Sequence, residues 1–209
     1  SGKTGNYTGL ICKAADAGYK MIIVLAGLHN NLRSQTQMRL DEGFLGYETG
    51  PIVGATKLIG VGNIYSSIGV RPHYATNRTN SGDFNAAFAR SLGVSPEERP
   101  WLFVVKKNKS VLTRLLKWLR DHVANSQDTE SGRKLINHLP LLVIDDEADH
   151  ASVDTGEKIV GEDGRPDLQH QPTAINELVR KILHTFTRSA YVGYTATPFA
   201  NIFIHEKGE

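Results

Sequence analysis

Two short stretches of the chain contain the residue types that bind phosphate and metal ions. The chain begins with Ser-Gly-Lys-Thr, and much further along an apolar run, 141–144, leads directly into the acidic stretch 145–149. A buried strand excludes unpaired charge, so carboxylates at the end of an apolar run indicate a place where a cation is held. Oxygen ligands of this kind suit Mg²⁺. The two stretches therefore predict a phosphate end and a metal end of one site.

The opening tetrapeptide matches the second half of the Walker A pattern, in which Gly-Lys-Ser/Thr opens a helix. Backbone amides at a helix N-terminus form a cradle for phosphate, to which Ser1, Gly2 and Gly5 would contribute. Lys3 would reach the β- and γ-phosphates, and the Thr4 hydroxyl would ligate magnesium. Gly-Lys-Thr also occurs in unrelated loops, and a solvent-exposed N-terminal turn is the alternative. Because the first glycine of the pattern and the strand before it do not precede Ser1, we expect this chain to be a piece of a longer protein.

The acidic stretch offers more than one metal ligand. We predict that Asp146 holds magnesium and that Glu147 polarises the attacking water. If the frame is shifted by one residue, Asp145 takes the metal instead. A solvated acidic loop is one alternative, and a metal-dependent endonuclease built on the cluster 145–149 is another. The nuclease is disfavoured because the chain lacks an Asp followed by Glu-x-Lys on a strand and lacks His/Cys pairs at zinc spacing.

A third motif, "YVGYTATP", ends a predicted strand at Pro198. Its two hydroxyl residues, Thr195 and Thr197, could form hydrogen bonds with carboxylates at the end of a neighbouring strand. We expect them to relay the state of a bound nucleotide. Asp149 and His150, which follow the predicted metal ligands, are expected to serve the same coupling.

The elements that must position these residues alternate between strand-like and helix-like patterns. Strands are predicted at 20–26, 100–107, 141–145 and 190–198, and helices at 4–17, 30–44, 110–124 and 173–188. The stretch 43–100 is rich in Gly, Asn, Ser and Tyr and has weak periodicity, which predicts an insertion or long loop with a short helix at 83–93. The stretch 152–172 is predicted to be a polar loop. Alternation of this kind predicts an α/β fold, a parallel sheet with helices on both faces.

Composition sets broad limits on the function. A chain of 209 residues that is 40% hydrophobic can form one substantial core in one or two domains. A net charge of +2 permits nucleic-acid binding without arguing for it. The single cysteine, Cys12, excludes an internal disulfide, and no apolar run reaches the length of a membrane span. We therefore expect a cytoplasmic protein.

Taken together in this order, the three motifs resemble motifs I, II and III of superfamily 2 helicases and translocases. "AGLHNNLRSQT" is similar to motif Ia, with Leu32 and Gln35 at its Leu-x-x-Gln spacing, and "FVVKKNKSVLTRL" lies where the motif Ib region would be. More narrowly, "LLVIDDEADHAS", "GYTATPFANIFI" and "LIGVGNIY" resemble the Z1 domain. That family occurs in bacterial multidomain proteins linked to restriction and DNA defence and is often labelled an endonuclease.

This resemblance implies the first RecA-like lobe of a P-loop NTPase, which binds ATP and Mg²⁺. A second lobe with an arginine finger, and effector domains of the same protein or operon partners, are then expected elsewhere, so this piece alone would hydrolyse ATP weakly. DNA is the expected partner. The contacts to its phosphate backbone would come from the loops at the strand ends, namely Arg33, Gln35, Lys106, Lys107 and Lys109. The remaining alternative is a nucleotide-gated interaction module without turnover.

Overall fold

A computed structural model describes most of the chain. The described residues are 2–51, 57–64, 71–92, 96–148, 170–195 and 202–206. The predicted polar loop at 152–172 lies almost wholly outside them. Everything below concerns these described residues.

A six-stranded sheet forms the centre of the molecule. In spatial order its strands are β2 (His73–Tyr74), β3 (Trp101–Val105), β1 (Met21–Ala26), β6 (Leu141–Asp146), β7 (Arg188–Tyr194) and β8 (Ile202–Glu206). The first five strands are parallel, and β8 pairs antiparallel with β7. In the register of the three central strands, Ala26 lies opposite Asp146, which lies opposite Tyr194. The last residues of these strands therefore meet at one edge, here called the carboxyl edge.

Six helices and one hairpin accompany the sheet in the described residues. The helices are α1 (Gly2–Asp16), α2 (Asn30–Leu40), α3 (Val61–Ile64), α4 (Ala86–Ser91), α5 (Lys109–Trp118) and α6 (His170–Thr185), and β4 (Ser126–Gln127) pairs with β5 (Lys134–Leu135). Helices α2 and α5 continue into π-helical turns, Asp41–Leu45 and Leu119–Val123. Helix α5 begins where the Asn108 side chain accepts hydrogen bonds from the amides of Ser110 and Val111. No helix in the described part of the chain has the length and apolar composition needed to cross a membrane.

The helices cover both faces of the sheet, as alternation along the strands requires. On β1, Met21, Ile23 and Leu25 belong to the core shared with α5 and α6. Ile22 and Val24 belong to the core shared with α1 and the end of α2. All six residues of β1 are buried, which is typical of a parallel strand with helices on both sides. The prediction of an α/β fold with a parallel sheet flanked by helices is confirmed at this level.

The region 43–100, predicted to be an insertion or long loop, contributes to the core where it is described. Its strand β2 extends the parallel sheet, and its short helix α4 falls within the predicted 83–93. Thr76 Oγ1 accepts a hydrogen bond of 2.7 Å from the Val104 amide and donates one of 2.8 Å to Gln37 Oε1. In this region the buried positions include polar residues that are hydrogen-bonded to one another. The sequence therefore has no regular spacing of apolar residues from which these elements could be predicted.

Candidate functional site: a polar cleft at the carboxyl edge

A cleft of about 350 Å³ opens where the N-terminus of α1 faces the carboxyl edge of the sheet. Its walls come from the first turn of α1, the end of β1, one side of α2 and the end of β6. The lining residues are Lys3, Thr4, Ala26, Gly27, Leu32, Gln35, Thr36, Arg39, Asp146 and Glu147. The structure thus brings together four residues predicted to bind phosphate and metal from opposite ends of the sequence, Lys3, Thr4, Asp146 and Glu147.

The two neighbouring aspartates at the end of β6 face opposite sides of the sheet. Asp145 is 1% exposed, and Lys107 Nζ lies 2.8 Å from its Oδ1. Tyr191 donates a hydrogen bond of 2.7 Å to Asp145 Oδ2. Burial raises the pKa of Asp145, opposed by the neighbouring Lys107. Asp146 lies on the α1 side and lines the cleft, so the geometry favours Asp146, not Asp145, as the metal ligand.

Glu147 has an unusual backbone conformation that brings its side chain to the cleft. Its φ of 88° is the one positive value among the non-glycine residues that the structure describes. The Glu147 amide donates a 3.0 Å hydrogen bond to the Tyr194 carbonyl, and its own carbonyl accepts one of 3.0 Å from Lys107 Nζ. These two bonds hold the residue in a strained conformation, and such strain is concentrated at functional sites.

Two residues that the sequence analysis missed, Tyr7 and Arg39, contact the side-chain oxygens of Thr4 and Asp146. Tyr7 donates a hydrogen bond of 3.1 Å to Asp146 Oδ2, and its hydroxyl lies 3.5 Å from Thr4 Oγ1. Arg39 Nη1 donates one of 3.0 Å to Thr4 Oγ1. Burial, with a smaller contribution from the Asp146 charge, raises the pKa of Tyr7 to about 12, so its hydroxyl remains a donor at neutral pH. Tyr7 lies three residues after Thr4 on the same helical face, so the sequence spacing could have indicated that it is near the site. No local sequence pattern indicates that Arg39 is near it.

The cleft supplies groups for both a phosphate and a divalent cation. Gly2 and Gly5 lie in the first turn of α1, and neither has an atom within 4 Å of where a Cβ would be, which leaves the backbone open to a ligand. No group of three His, Cys, Asp or Glu side chains suited to a metal occurs among the described residues. Mg²⁺ commonly takes one or two carboxylates together with water and substrate phosphates. Thr4 and Asp146 fit that kind of site.

Two of the predicted nucleic-acid contacts are buried, and those predictions are wrong. Arg33 is 0% exposed, and its guanidinium donates to the backbone carbonyls of Asn77, at 2.9 Å, and Thr79. Lys107 is 2% exposed, and its Nζ is ion-paired with Asp145 and donates a hydrogen bond to the Glu147 carbonyl. Neither side chain can reach a phosphate backbone in solution. Both instead join segments that are distant in sequence.

The other predicted contacts are accessible to different degrees. Lys109 is exposed at the start of α5, and Gln35 is exposed on α2 at the rim of the cleft. The Lys106 side chain is 22% exposed, and its Nζ lies 4.0 Å from Asp83 Oδ2. These three remain candidates for a polyanion contact near the carboxyl edge.

Four of the predicted site residues lie outside the described residues. They are Ser1, predicted to bind phosphate, and Asp149, His150 and Thr197, predicted to couple the site to motion elsewhere. Thr195 is described and follows directly after β7, half-buried, at the same edge as Asp146. That position is compatible with its predicted role and does not test it.

No protein-family model, no curated protein and no solved structure matches this chain. The functional argument therefore depends on the geometry of the cleft.

Proposed function

We propose that this chain is a RecA-like P-loop lobe that binds ATP with Mg²⁺ in the cleft at the carboxyl edge. In the intact protein it would couple ATP hydrolysis to movement on DNA or to DNA remodelling, in a restriction or defence setting. The observation that supports this most is the convergence of Lys3 and Thr4 with Asp146 and Glu147 in one cleft. These are the residue types that phosphoryl transfer from a nucleotide requires.

The phosphate groups would bind between α1 and α2. Lys3 and Arg39 both line the cleft, and the first turn of α1 has backbone amides without a partner inside the helix. Two cations and a helix N-terminus together suit the negative charge of a triphosphate. At about 350 Å³ the cleft also has the size of a small-molecule site, which begins near 300 Å³.

The metal and the attacking water would bind on the β6 side of the cleft. Thr4 and Asp146 would hold Mg²⁺ together with phosphate oxygens, and the metal would neutralise charge on the phosphates. Glu147 would orient and polarise the water. Because Lys107 and the Tyr194 carbonyl hold the Glu147 backbone, the point from which this side chain enters the cleft is fixed before a nucleotide binds.

A nuclease based on the acidic stretch has less support. Asp145 is neutralised by Lys107 and faces away from the cleft, so Asp146 and Glu147 are the carboxylates that line it. Two carboxylates beside Lys3 and Arg39 suit a metal–phosphate ligand better than a metal site formed by protein alone. DNA contacts through Gln35, Lys106 and Lys109, and a second RecA-like lobe, belong to the proposal.

The deciding experiment measures Mg²⁺-dependent binding of a fluorescent ATP analogue and ATP hydrolysis, with and without DNA. We expect Lys3→Ala to weaken binding at least tenfold, since it removes a charge-assisted contact of roughly 1.5–3 kcal/mol. The matched control is Lys13→Ala, an exposed lysine in the last turn of the same helix, which should leave binding unchanged. Glu147→Gln should retain binding and lose turnover.

Two other results would support the alternatives. Metal-dependent DNA cleavage that survives Lys3→Ala and is lost in Asp146→Asn would identify a nuclease. ATP binding without turnover, with no longer-lived bound state in Glu147→Gln, would identify a nucleotide-gated interaction module.

A further inference from the structure

A second concave site lies at the end of the sheet opposite the cleft. Helix α6 and the π-helical turn after α5 both end at the side where β6 and β7 begin, and the hairpin β4–β5 lies beside them. Between these elements is a pocket of about 160 Å³. Its lining residues are Arg120, Arg133, Lys134, Lys181, His184 and Thr185.

Four of these residues are permanent cations, and two of the four are in ion pairs. Lys134 Nζ lies 3.1 Å from Asp121 Oδ1, and Lys181 Nζ lies 2.6 Å from Glu177 Oε1. Both pairs are exposed, so each is weak. Arg120 and Arg133 are in no ion pair among the described residues. Four cations therefore outnumber the two carboxylates that are ion-paired with them, while a third carboxylate, Asp128, lies near Arg133 through Ser131, whose hydroxyl donates to Asp128 Oδ1 and accepts from Arg133 Nε.

Capping of the helix C-termini does not account for this excess. Cations at a helix C-terminus are favourable when they compensate free carbonyl groups. Here backbone amides already bind some of those carbonyls. Ile136 donates to the Thr185 carbonyl at 2.8 Å, Phe186 donates to Leu183 at 3.2 Å, and Ala124 donates to Leu119 at 2.9 Å. Arg120 and Arg133 have no carboxylate partner among the described residues, and Arg133 uses only its Nε in a hydrogen bond to Ser131 Oγ, so these two guanidinium groups can bind a ligand.

We propose that this basic pocket binds a phosphate group. Two arginines favour phosphate, because the planar guanidinium binds its oxygens in pairs, and lysines add point charges. A volume of about 160 Å³ is below the range of sites that enclose a drug-sized ligand, so the pocket holds one phosphate group and not a whole nucleotide. The group can belong to a free phosphate compound or to a nucleic-acid backbone that passes over the pocket.

This proposal does not depend on ATP binding in the cleft. If a nucleic-acid backbone supplies the phosphate, the chain has a polyanion contact at the end of the sheet opposite Lys106 and Lys109. If a free phosphate compound supplies it, the pocket is a small-anion site separate from the cleft.

The test titrates the whole chain with two probes, inorganic phosphate followed by amide chemical shifts and a labelled single-stranded oligonucleotide followed by anisotropy. The variant Arg120→Ala/Arg133→Ala should weaken the binding of phosphate at the pocket at least tenfold. The control, Lys13→Ala/Arg90→Ala, removes two exposed cations elsewhere and should leave it unchanged. Because Arg120 is half-buried, its substitution could also destabilise the fold. Arg133→Glu changes an exposed residue of the hairpin instead and should cause the same loss of phosphate binding.

The two probes distinguish the source of the phosphate. Loss of both phosphate and oligonucleotide binding, with a shallower salt dependence for the oligonucleotide, supports the pocket and assigns it to a nucleic-acid backbone. Loss of phosphate binding alone supports the pocket and assigns it to a free phosphate compound. The proposal is overturned if phosphate shifts no amides of 119–123, 133–136 or 181–185, or if both double variants weaken binding equally.

Discussion

Two adjacent aspartates on β6 have opposite surroundings. Asp145 belongs to an interior triad with Lys107 and Tyr191, in which Oδ1 is ion-paired with Lys107, Oδ2 accepts a hydrogen bond from Tyr191, and almost nothing is exposed. Asp146 is bonded to Tyr7 on one side and open to the cleft on the other. Buried charge is tolerated only when it is paired and hydrogen-bonded, whereas a partly open carboxylate remains free to bind a ligand. The interior triad should therefore govern stability, and the cleft should govern binding.

The strongest test of this division removes the cation of the triad. Lys107→Met leaves the buried Asp145 without its partner, and we expect the free energy of unfolding to fall by about 3–5 kcal/mol. Chemical denaturation measures the loss. Lys3→Met in the cleft should change the same quantity by less than about 0.5 kcal/mol, because that lysine lies beside open solvent.

A double variant shows whether the charge of Asp145 causes the loss. Lys107→Met/Asp145→Asn removes both charges and keeps an acceptor for the Tyr191 hydroxyl. It should recover most of the stability lost in the single variant. A double variant that is no more stable than Lys107→Met would contradict the assignment, because the loss would then come from packing.

The interior also contains a buried titratable group, His73 on β2. It is 5% exposed, and its Nε2 has no hydrogen-bond partner among the described residues. Burial lowers its pKa from 6.5 to about 4. Between those two values the unfolded chain binds a proton and the folded chain does not, so the stability present above pH 6.5 should fall as the pH approaches 4. The decrease due to this group is at most about 3.5 kcal/mol, at about 1.4 kcal/mol per unit of pKa.

Denaturation curves at several pH values, compared with His73→Phe, isolate this contribution. Phenylalanine keeps a ring that can contact Trp101 and Tyr74 and removes the titration. The variant should lose stability less steeply between pH 6.5 and 4. If stability falls equally steeply with pH in the two proteins, the pKa of His73 in the folded chain is not lowered and the prediction is wrong.

The alternation of strands and helices was predictable because the apolar positions have the spacing of each element. Helix α6 and strand β6, for instance, have strong patterns and were found within a few residues of their bounds. The meeting of Lys3 with Asp146 was also predictable from the motifs. Single-sequence patterns could not predict which face of β6 packs against α1. Alternation along a strand shows only that Asp145 and Asp146 face opposite sides of the sheet. That choice depends on the packing of a distant helix.

Burial of charged residues was the other failure of prediction. Arg33 and Lys107 were predicted to contact a phosphate backbone because they lie in loops at the strand ends, where isolated arginine and lysine side chains are usually exposed. Arg33 is accommodated by carbonyls of residues 77 and 79, and Lys107 by Asp145 and Glu147, across separations that no local pattern reveals. The same applies to Arg39, which reaches Thr4 from another helix.

On the cleft side, Tyr7 offers a smaller and sharper test. Tyr7→Phe removes the hydroxyl that binds Asp146 Oδ2 and lies near Thr4 Oγ1, the two oxygens proposed for magnesium. We expect stability to fall by about 1.5 kcal/mol, the worth of a hydrogen bond to a charged group. The Mg²⁺ concentration that half-saturates nucleotide binding should fall by a factor of about 2–10, since the competing bond is gone.

Tyr194→Phe provides the control, because Tyr194 donates to Asn6 and not to the proposed ligands. It should leave the magnesium dependence unchanged. An unchanged magnesium dependence in Tyr7→Phe as well would mean that the metal, if bound, does not use Asp146 Oδ2.

The smallest expected effect concerns Glu147, where the interior triad and the cleft meet through the Lys107–carbonyl bond. Its φ of 88° strains any residue with a Cβ, at roughly 1–3 kcal/mol, while glycine adopts it freely but loses about 0.5–1 kcal/mol of backbone entropy on folding. Glu147→Gly should therefore be more stable than Glu147→Ala by about 0.5–1 kcal/mol in denaturant unfolding. Both variants should lose ATP hydrolysis equally, because both lack the carboxylate. Equal stability of the two would show that the backbone relaxes without the glutamate, so that the carboxylate, rather than the bonds of Lys107 and Tyr194, holds the strained conformation.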